Sequence, residues 1–247
     1  MTKAFTEIGA KPLPQETNSC WSCGSMRAAH FCEACGKVQP PAPVDYFSFF
    51  GLPAKLTIDV PALEKEFYHL SRKLHPDLSA RAGSQEQQWS LEQTSLLNDA
   101  FRTLKDPIER TKYLLELEGV KLEEQSSNAT VAARENGAEK KQVVPPELLE
   151  EVFELNMQLQ ELKMAKQMGE DSPEAAADLR NAKAGFESKL QGLETELKSL
   201  WNHWDAVAEK TQPGDAGRNV VRDKMVDLLN RRSYIRNLVR DVNEALA

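Results

Sequence analysis

Apolar residues recur at intervals of three and four along most of this chain, and no stretch of any length alternates apolar with polar residues. Intervals of three and four place side chains on one face of an α-helix. Clusters of proline, glycine and polar residues interrupt the pattern and divide it into separate helices. The sequence therefore predicts an all-α fold.

The first clear helical pattern lies between Asp59 and Leu74. Its apolar face contains Leu63, Phe67, Leu70 and Leu74. A second face is basic and contains Lys65, His69, Arg72 and Lys73. The chain as a whole has a net charge of −7, so a local positive strip favours attraction to an acidic patch on a partner.

This helix is predicted to stop at His75-Pro76-Asp77, because Pro76 lacks an N–H and disfavours a helical conformation for His75. A second helix is predicted to start at Ser84, with Gln87 as its capping-box partner. Asp106 then caps a third helix, which begins at Pro107 and stops at Gly119. The two long helices are expected to pack antiparallel, with His75-Pro76-Asp77 exposed at the tip between them.

All four cysteines lie in two CxxC pairs, and eight residues separate Cys20-x-x-Cys23 from Cys32-x-x-Cys35. Two such pairs can supply four thiolates to one tetrahedral Zn²⁺. Structural zinc is the prediction; a rubredoxin-like iron site and a redox dithiol are the alternatives. Four thiolates complete the metal's coordination, which leaves no open position for catalysis. His30 is interpreted as a loop residue.

The segment "KVQPPAPVD" at 37–45 is predicted to be a stiff, extended linker. The polar segment 123–142 has no apolar period and is predicted to be a mobile loop. Three domains follow from these boundaries. They are a four-cysteine metal-binding knuckle at 17–37, a helical hairpin domain at 45–119 and a C-terminal helical domain at 145–247.

The C-terminal domain contains three apolar helical stripes, beginning near Leu148, Phe186 and Val221, which favour a three-helix bundle. A coiled-coil dimer is the second interpretation. Extra apolar residues lie beside two of the stripes, and these are Leu149, Phe153 and Met157 on one helix and Tyr234 and Leu238 on another. Ridges of this kind on adjacent helices predict an exposed apolar patch that binds a partner.

Composition excludes several classes of function. The net charge of −7 argues against nucleic-acid binding, and no segment has the roughly 18 uninterrupted apolar residues of a membrane span. No carboxylate pair or activated nucleophile is evident, so an enzyme is not expected. The first residues lack an apolar signal core and contain no arginine. The features of these first residues and the clustering of the cysteines together favour a reducing compartment. This compartment is the cytoplasm, or the mitochondrial matrix for a trimmed chain.

The tripeptide His75-Pro76-Asp77, placed after a basic helix and before a second long helix, resembles the J domain of co-chaperones. J domains dock on DnaK/HscA-type chaperone ATPases and stimulate ATP hydrolysis. The resemblance implies that His75, Pro76 and Asp77 contact the ATPase, together with the docking face formed by Lys65, His69, Arg72 and Lys73. Asp77 would engage a cationic group, Pro76 would keep the loop rigid, and the partner would hydrolyse the nucleotide.

The segments "DYFSFFGLP" and "LLNDAFRTLKDPIERTKYLLELEG" are, with the helical C-terminal half, similar to HscB, the J-type co-chaperone of iron–sulfur cluster assembly. The knuckle "CWSCG…HFCEACG" resembles the metazoan-like variant of that family. This resemblance implies an IscU-type scaffold protein as second partner, bound by Leu149, Phe153 and Tyr234. Two other hypotheses remain: a general J-type co-chaperone that presents unfolded clients, and a regulatory protein whose knuckle senses metal or redox state.

Overall fold

The computed structural model describes residues 19–26, 29–120, 122, 146–169 and 172–247. The chain divides into two compact units, the first comprising residues 1–54 and 58–110 and the second residues 55–57 and 111–247. The polar segment predicted at 123–142 lies outside the described residues.

Helices account for nearly all of the regular structure in the described parts of the chain. They are α1 Tyr46–Phe49, α2 Val60–Leu74, a 3-10 turn at Pro76–Ser79, α3 Ser84–Lys105, α4 Pro107–Leu117, a 3-10 turn at Pro146–Leu148, α5 Leu149–Met168, α6 Pro173–Ala208 and α7 Ala216–Leu246. Extended pairing among the described residues is limited to two isolated bridges within the knuckle. The prediction of an all-α fold is confirmed.

Local capping explains where the helices of the first unit begin. The carboxylate of Asp106 accepts hydrogen bonds from the N–H groups of Ile108 and Glu109 at 2.8 and 2.9 Å, as a helix N-cap should. The predicted start at Ser84 is confirmed, but its cap is different. Gln87 donates to the carbonyls of Ala80 and Ala82 in the preceding loop, at 3.1 and 3.0 Å.

Helices α2 and α3 pack side by side and run antiparallel. The stacked rings of Phe67 and Phe101 have their centroids 4.1 Å apart, and Lys105 at the end of α3 pairs with Glu64 near the start of α2 at 2.8 Å. Their packed faces supply buried residues of the first unit, namely Leu63, Leu70, Leu74, Leu97, Ala100 and Leu104. The predicted antiparallel hairpin is confirmed.

The second unit contains the bundle of α5, α6 and α7. Its core joins residues from all three helices, namely Leu148, Val152, Leu155, Leu162, Ala175, Leu179, Phe186, Tyr234, Ile235, Leu238 and Val242. Ion pairs connect neighbouring helices, with Lys189 to Glu151 at 2.7 Å and Arg232 to Glu194 at 2.9 Å. The predicted three-helix bundle is confirmed, because the apolar stripes cover one another within one chain.

Residues 55–57 of the second unit are fixed against the C-terminal part of α6. The buried carboxylate of Asp205 accepts the N–H groups of Leu56 and Thr57 at 2.8 and 2.9 Å. An ionised acceptor makes stronger hydrogen bonds than a neutral one. Sequence periodicity gave no sign of this contact, because 148 residues separate Asp205 from Thr57.

Candidate functional site

The tripeptide His75-Pro76-Asp77 forms an exposed turn at the C-terminal end of α2. The side chains of His75 and Asp77 are 53% and 89% exposed. His75 adopts φ −58° and ψ 130°, which is the extended conformation that a following proline imposes. The Asp77 N–H donates to Nδ1 of His75 at 3.3 Å, and the Asp77 carboxylate lies 3.5 Å from the same nitrogen. The turn therefore presents an imidazole and a carboxylate together to solvent.

Two hydroxyl groups of α3 hold the last residue of α2. The Leu74 carbonyl accepts from Oγ of Ser90 at 2.7 Å and from Oγ1 of Thr94 at 2.9 Å. The Leu78 N–H, which would bond this carbonyl if α2 continued, donates to His75 instead. Ser90 and Thr94 therefore satisfy a helix-end carbonyl directly before the tripeptide. Neither residue was found from the sequence.

The basic face of α2 lies on the side opposite its buried residues. Its four members are exposed and are Lys65, His69, Arg72 and Lys73. Of the two acidic residues near the start of the helix, Glu64 is paired with Lys105. Basic side chains in the last turn also interact favourably with the negative end of the helix dipole. The basic face leads directly to the tripeptide, because only Leu74 separates Lys73 from His75.

The four cysteines lie close together. Their sulfur atoms all lie within 4.8 Å of one another, with 3.6 Å between Cys20 and Cys35 and 3.7 Å between Cys23 and Cys32. A tetrahedron of sulfurs about 2.3 Å from a zinc ion has edges of roughly 3.8 Å. The spacing therefore fits a four-thiolate metal site, and the four cysteines could bind a metal.

Two matching turns create this arrangement. In each, the N–H of a glycine donates to the carbonyl of the first cysteine of the pair, at 2.9 Å for Gly24 to Cys20 and 2.7 Å for Gly36 to Cys32. Both glycines have positive φ, 73° and 72°, a conformation that side-chain-bearing residues rarely adopt. The positive φ explains why a glycine follows the second cysteine of each pair.

The thiols differ in their readiness to ionise. Burial would raise the pKa of Cys20, but hydrogen bonds from the backbone of Cys23 and Ser22 outweigh it and lower that pKa to about 6. A backbone hydrogen bond from Lys37 lowers the pKa of Cys35, but burial and the neighbouring sulfurs raise it overall, to about 12. Cysteine binds a metal as the thiolate, and the positive charge of a bound divalent metal would favour that form.

The knuckle packs on the helices of the first unit. His30 places Nε2 2.8 Å from the Phe49 carbonyl and Nδ1 3.0 Å from the side-chain oxygen of Gln93. Gln93 is 1% exposed and donates to the carbonyls of His30 and Gln39 at 3.2 and 2.8 Å. His30 is therefore a structural residue. Val38 and Gln39, at the start of the segment predicted to be an extended linker, are buried, so this part of the segment packs on its neighbours.

The predicted apolar patch of the bundle is present on one helix only. Leu149, Phe153 and Met157 of α5 are 55%, 68% and 58% exposed. Tyr234 and Leu238 of α7 are 5% and 8% exposed and lie in the bundle core. The prediction that these two form an exposed ridge is wrong, because α7 turns them towards its neighbours. Burial also raises the pKa of the Tyr234 hydroxyl.

Comparisons with known proteins point in one direction. No family model matches the chain. Over 143 residues it is 34% identical to the iron–sulfur cluster co-chaperone protein HscB homolog of Arabidopsis thaliana, which covers 58% of this chain and 51% of that protein. It is 37% identical over 111 residues to the iron–sulfur cluster co-chaperone protein HscB of Mus musculus, covering 42% of this chain and 47% of that protein.

The predicted resemblance to HscB is confirmed. The chain spans about half the length of the curated HscB proteins it matches. The crystal structure of human co-chaperone protein HscB superimposes with a TM-score of 0.61 at 22% identity, covering 92% of this chain and 97% of the human one. HscB from Vibrio cholerae gives a TM-score of 0.52 at 21% identity, covering 81% and 96%. These two structures establish the likeness of fold.

None of the described helices is long and apolar enough to cross a bilayer. Helix α5, with its exposed apolar residues, also carries charged residues such as Glu150, Glu151 and Lys163.

Proposed function

We propose that this chain is a J-type co-chaperone of iron–sulfur cluster assembly. It stimulates ATP hydrolysis by a DnaK/HscA-type chaperone ATPase and delivers an IscU-type scaffold protein to that ATPase. The observation that carries this proposal is the exposed His75-Pro76-Asp77 turn, held at the end of a basic helix face between two antiparallel helices. The names of the curated relatives support it. The chain itself is not an enzyme and binds no nucleotide.

In docking on the ATPase, the basic face of α2 first attracts the partner, and the His75-Pro76-Asp77 turn then contacts it. The exposed side chains of Lys65, His69, Arg72 and Lys73 attract an acidic surface of the ATPase, which raises the rate of encounter. Asp77, with its carboxylate in solvent, then pairs with a cationic group of the partner. Pro76 and the bonds to the Leu74 carbonyl keep the turn rigid, so little conformational entropy is lost when it docks.

The scaffold protein binds the exposed apolar residues of α5. Leu149, Phe153 and Met157 are four residues apart, so they form one continuous ridge along the helix. Aromatic residues and methionine are enriched in protein interfaces relative to the rest of the surface. Tyr234 contributes only indirectly, since its buried ring packs in the same core as Val152.

The four-cysteine site holds a structural zinc ion through Cys20, Cys23, Cys32 and Cys35. When bound, zinc supplies folding energy to a segment too short to form an apolar core of its own. Unpaired cysteines agree with a reducing compartment, the cytoplasm or the mitochondrial matrix. In this proposal the J domain is 45–119 and the scaffold-binding domain is 145–247. Placing both on one chain raises the effective concentration of the scaffold at the ATPase.

Two substitutions test the proposed division of labour. The first variant is His75→Gln. Its control is His203→Gln, because His203 is an exposed histidine of α6. Phe153→Ala has Met168→Ala as its control, because Met168 is equally exposed on the same helix but about 22 Å further along it. Each variant is assayed for stimulation of a purified HscA-type ATPase and for binding of an IscU-type scaffold protein.

We expect His75→Gln to lose stimulation and keep scaffold binding, and Phe153→Ala to keep stimulation by the chain alone and lose scaffold affinity. Both controls should resemble the unmodified protein. Unimpaired stimulation by His75→Gln would contradict the proposal. Equal binding of the scaffold and of unrelated unfolded proteins, unaffected by Phe153→Ala, would favour a general co-chaperone that presents unfolded clients.

A further inference from the structure

The aromatic ring of Phe31 lies on the basic face of α2. Its centroid is 6.0 Å from that of the His69 ring and 5.7 Å from Nζ of Lys73. Residues 69 and 73 are one helical turn apart, so one ring reaches both. A cation within about 6 Å of an aromatic ring is attracted to its face. Phe31 thus connects the four-cysteine knuckle to the helix that carries the docking residues.

The backbone of Phe31 is fixed from both sides. On one side it precedes Cys32, whose N–H donates to the Lys37 carbonyl at 2.9 Å and whose sulfur belongs to the four-cysteine cluster. On the other side it follows His30, which bonds to the Phe49 carbonyl and to Gln93. The position of the ring therefore depends on the cysteine turn and on the packing of His30.

A fixed ring restricts the long side chain of Lys73. Lysine side chains have many rotamers in solution, and fixing them on docking opposes binding. The ring attracts the ammonium group and keeps the exposed lysine over one part of the helix face. The side chain of Lys73 is then partly ordered before a partner binds, so less conformational entropy is lost on docking.

We propose that Phe31 is a positioning residue for the ATPase-docking face, and that a metal held by the four cysteines sets the affinity of docking through it. This inference rests on the proposed co-chaperone function. With zinc bound, the cysteine turn holds the ring against His69 and Lys73. Without zinc, the turn loses its anchor, the ring leaves α2, and docking weakens while His75 and Asp77 remain intact.

A series of substitutions at position 31 distinguishes the effect of the aromatic face from the effect of side-chain volume. Phe31→Tyr keeps an aromatic face, Phe31→Leu keeps an apolar side chain without that face, and Phe31→Ala removes both. For each full-length variant, stimulation of an HscA-type ATPase is measured against protein concentration. Zinc content per chain is measured as well, because an unchanged value shows that the knuckle is still folded.

We expect the concentration for half-maximal stimulation to rise about two- to five-fold in Phe31→Leu and Phe31→Ala, the range for an exposed cation–π contact. Phe31→Tyr should match the unmodified protein. The maximal rate should stay constant in all three, because the tripeptide is unchanged. A residue with a merely structural role would also raise the half-maximal concentration, through loss of folded protein, but the zinc content per chain would then fall with it.

A second measurement does not depend on ATPase activity. The ε-methylene resonance of Lys73 should be displaced by the ring current of Phe31 and should return towards the value of a free lysine in Phe31→Leu. Removal of zinc with a chelator should produce the same change in the unmodified protein, and added zinc should reverse it. A Lys73 resonance that is unaffected by chelation would overturn the link to the metal.

The two proposals fail in different ways. If the unmodified protein stimulates the ATPase and Phe31→Leu has the same half-maximal concentration, the inference about Phe31 is wrong and the co-chaperone function stands. If the unmodified protein stimulates no ATPase of this class, the proposed function is wrong and the inference falls with it.

Discussion

The carbonyl of Leu74 offers a sharp test of how the fold holds the exposed tripeptide. This group accepts from Ser90 at 2.7 Å and Thr94 at 2.9 Å. Ser90 is 0% exposed, so water cannot easily replace its hydroxyl, whereas Thr94 is half-buried. Because the two hydroxyls share one acceptor, removing them should not have independent effects on the free energy of unfolding.

The expected cost follows from the hydrogen bonds themselves. Ser90→Ala or Thr94→Val alone removes one neutral bond and should lower the free energy of unfolding by about 1 kcal/mol. The double variant leaves the buried carbonyl without either partner, which adds a desolvation cost of about 1 kcal/mol or more, for a total of about 3 kcal/mol. The double-mutant cycle should therefore show a coupling of about 1 kcal/mol.

The free energy of unfolding is measured by urea unfolding followed by circular dichroism for the unmodified protein, the two single variants and the double variant. ATPase stimulation is measured without urea, under conditions where each protein is fully folded. Ser95→Ala is the control, since Ser95 is an exposed serine of the same helix and should change stability by less than about 0.5 kcal/mol. We also expect weaker stimulation by the double variant, because the turn after Leu74 becomes less rigid. Strictly additive losses, or a double variant as stable as the control, would show that Ser90 and Thr94 do not share the Leu74 carbonyl in this way.

Three further substitutions test other parts of the structure. Asp205→Ala leaves the buried N–H of Leu56 without its charged acceptor, and should destabilise the protein by about 2–4 kcal/mol in urea unfolding; Asp205→Asn should cost less. Gln93→Leu removes the hydrogen bonds to His30 and should lower the melting temperature measured by calorimetry, by an amount equivalent to about 1–3 kcal/mol. Burial raises the pKa of Tyr234 in the folded state above the unfolded value of about 10, so this residue's contribution to stability is complete below pH 10 and declines as the pH rises above it. Unfolding experiments at pH 8 and 10.5 should therefore show a smaller loss of stability in Tyr234→Phe than in the unmodified protein.

Features that depend on neighbours in the chain could be predicted from the sequence. Helix α2 ends before Pro76 because proline acts on the residue next to it. The cap at Asp106 uses N–H groups two and three residues away. The cysteine turns depend on the short interval between Cys20 and Gly24 and its repeat at Cys32 and Gly36. In each case the partners are close in sequence, so their geometry follows from local rules.

Features that depend on distant partners could not be predicted in this way. The prediction of an exposed ridge at Tyr234 failed because an apolar stripe shows which residues share a helix face, but not how wide a face the neighbouring helices cover. The role of His30 could not be predicted because its partners, Phe49 and Gln93, are 19 and 63 residues away. The packing of the knuckle on Val38 and Gln39 likewise depends on α3.

The helical class, the antiparallel hairpin with His75-Pro76-Asp77 at its tip, the four-cysteine cluster and the exposed ridge at Leu149 and Phe153 all follow from sequence patterns. The burial of Tyr234, the hydrogen bonds from Ser90 and Thr94 to the end of α2, and the position of Phe31 beside Lys73 become visible only in the packed fold. The difference lies in the range of the interactions. Helix periodicity, capping and turn formation act over a few residues, whereas burial and cross-chain hydrogen bonds exist only once distant helices have packed.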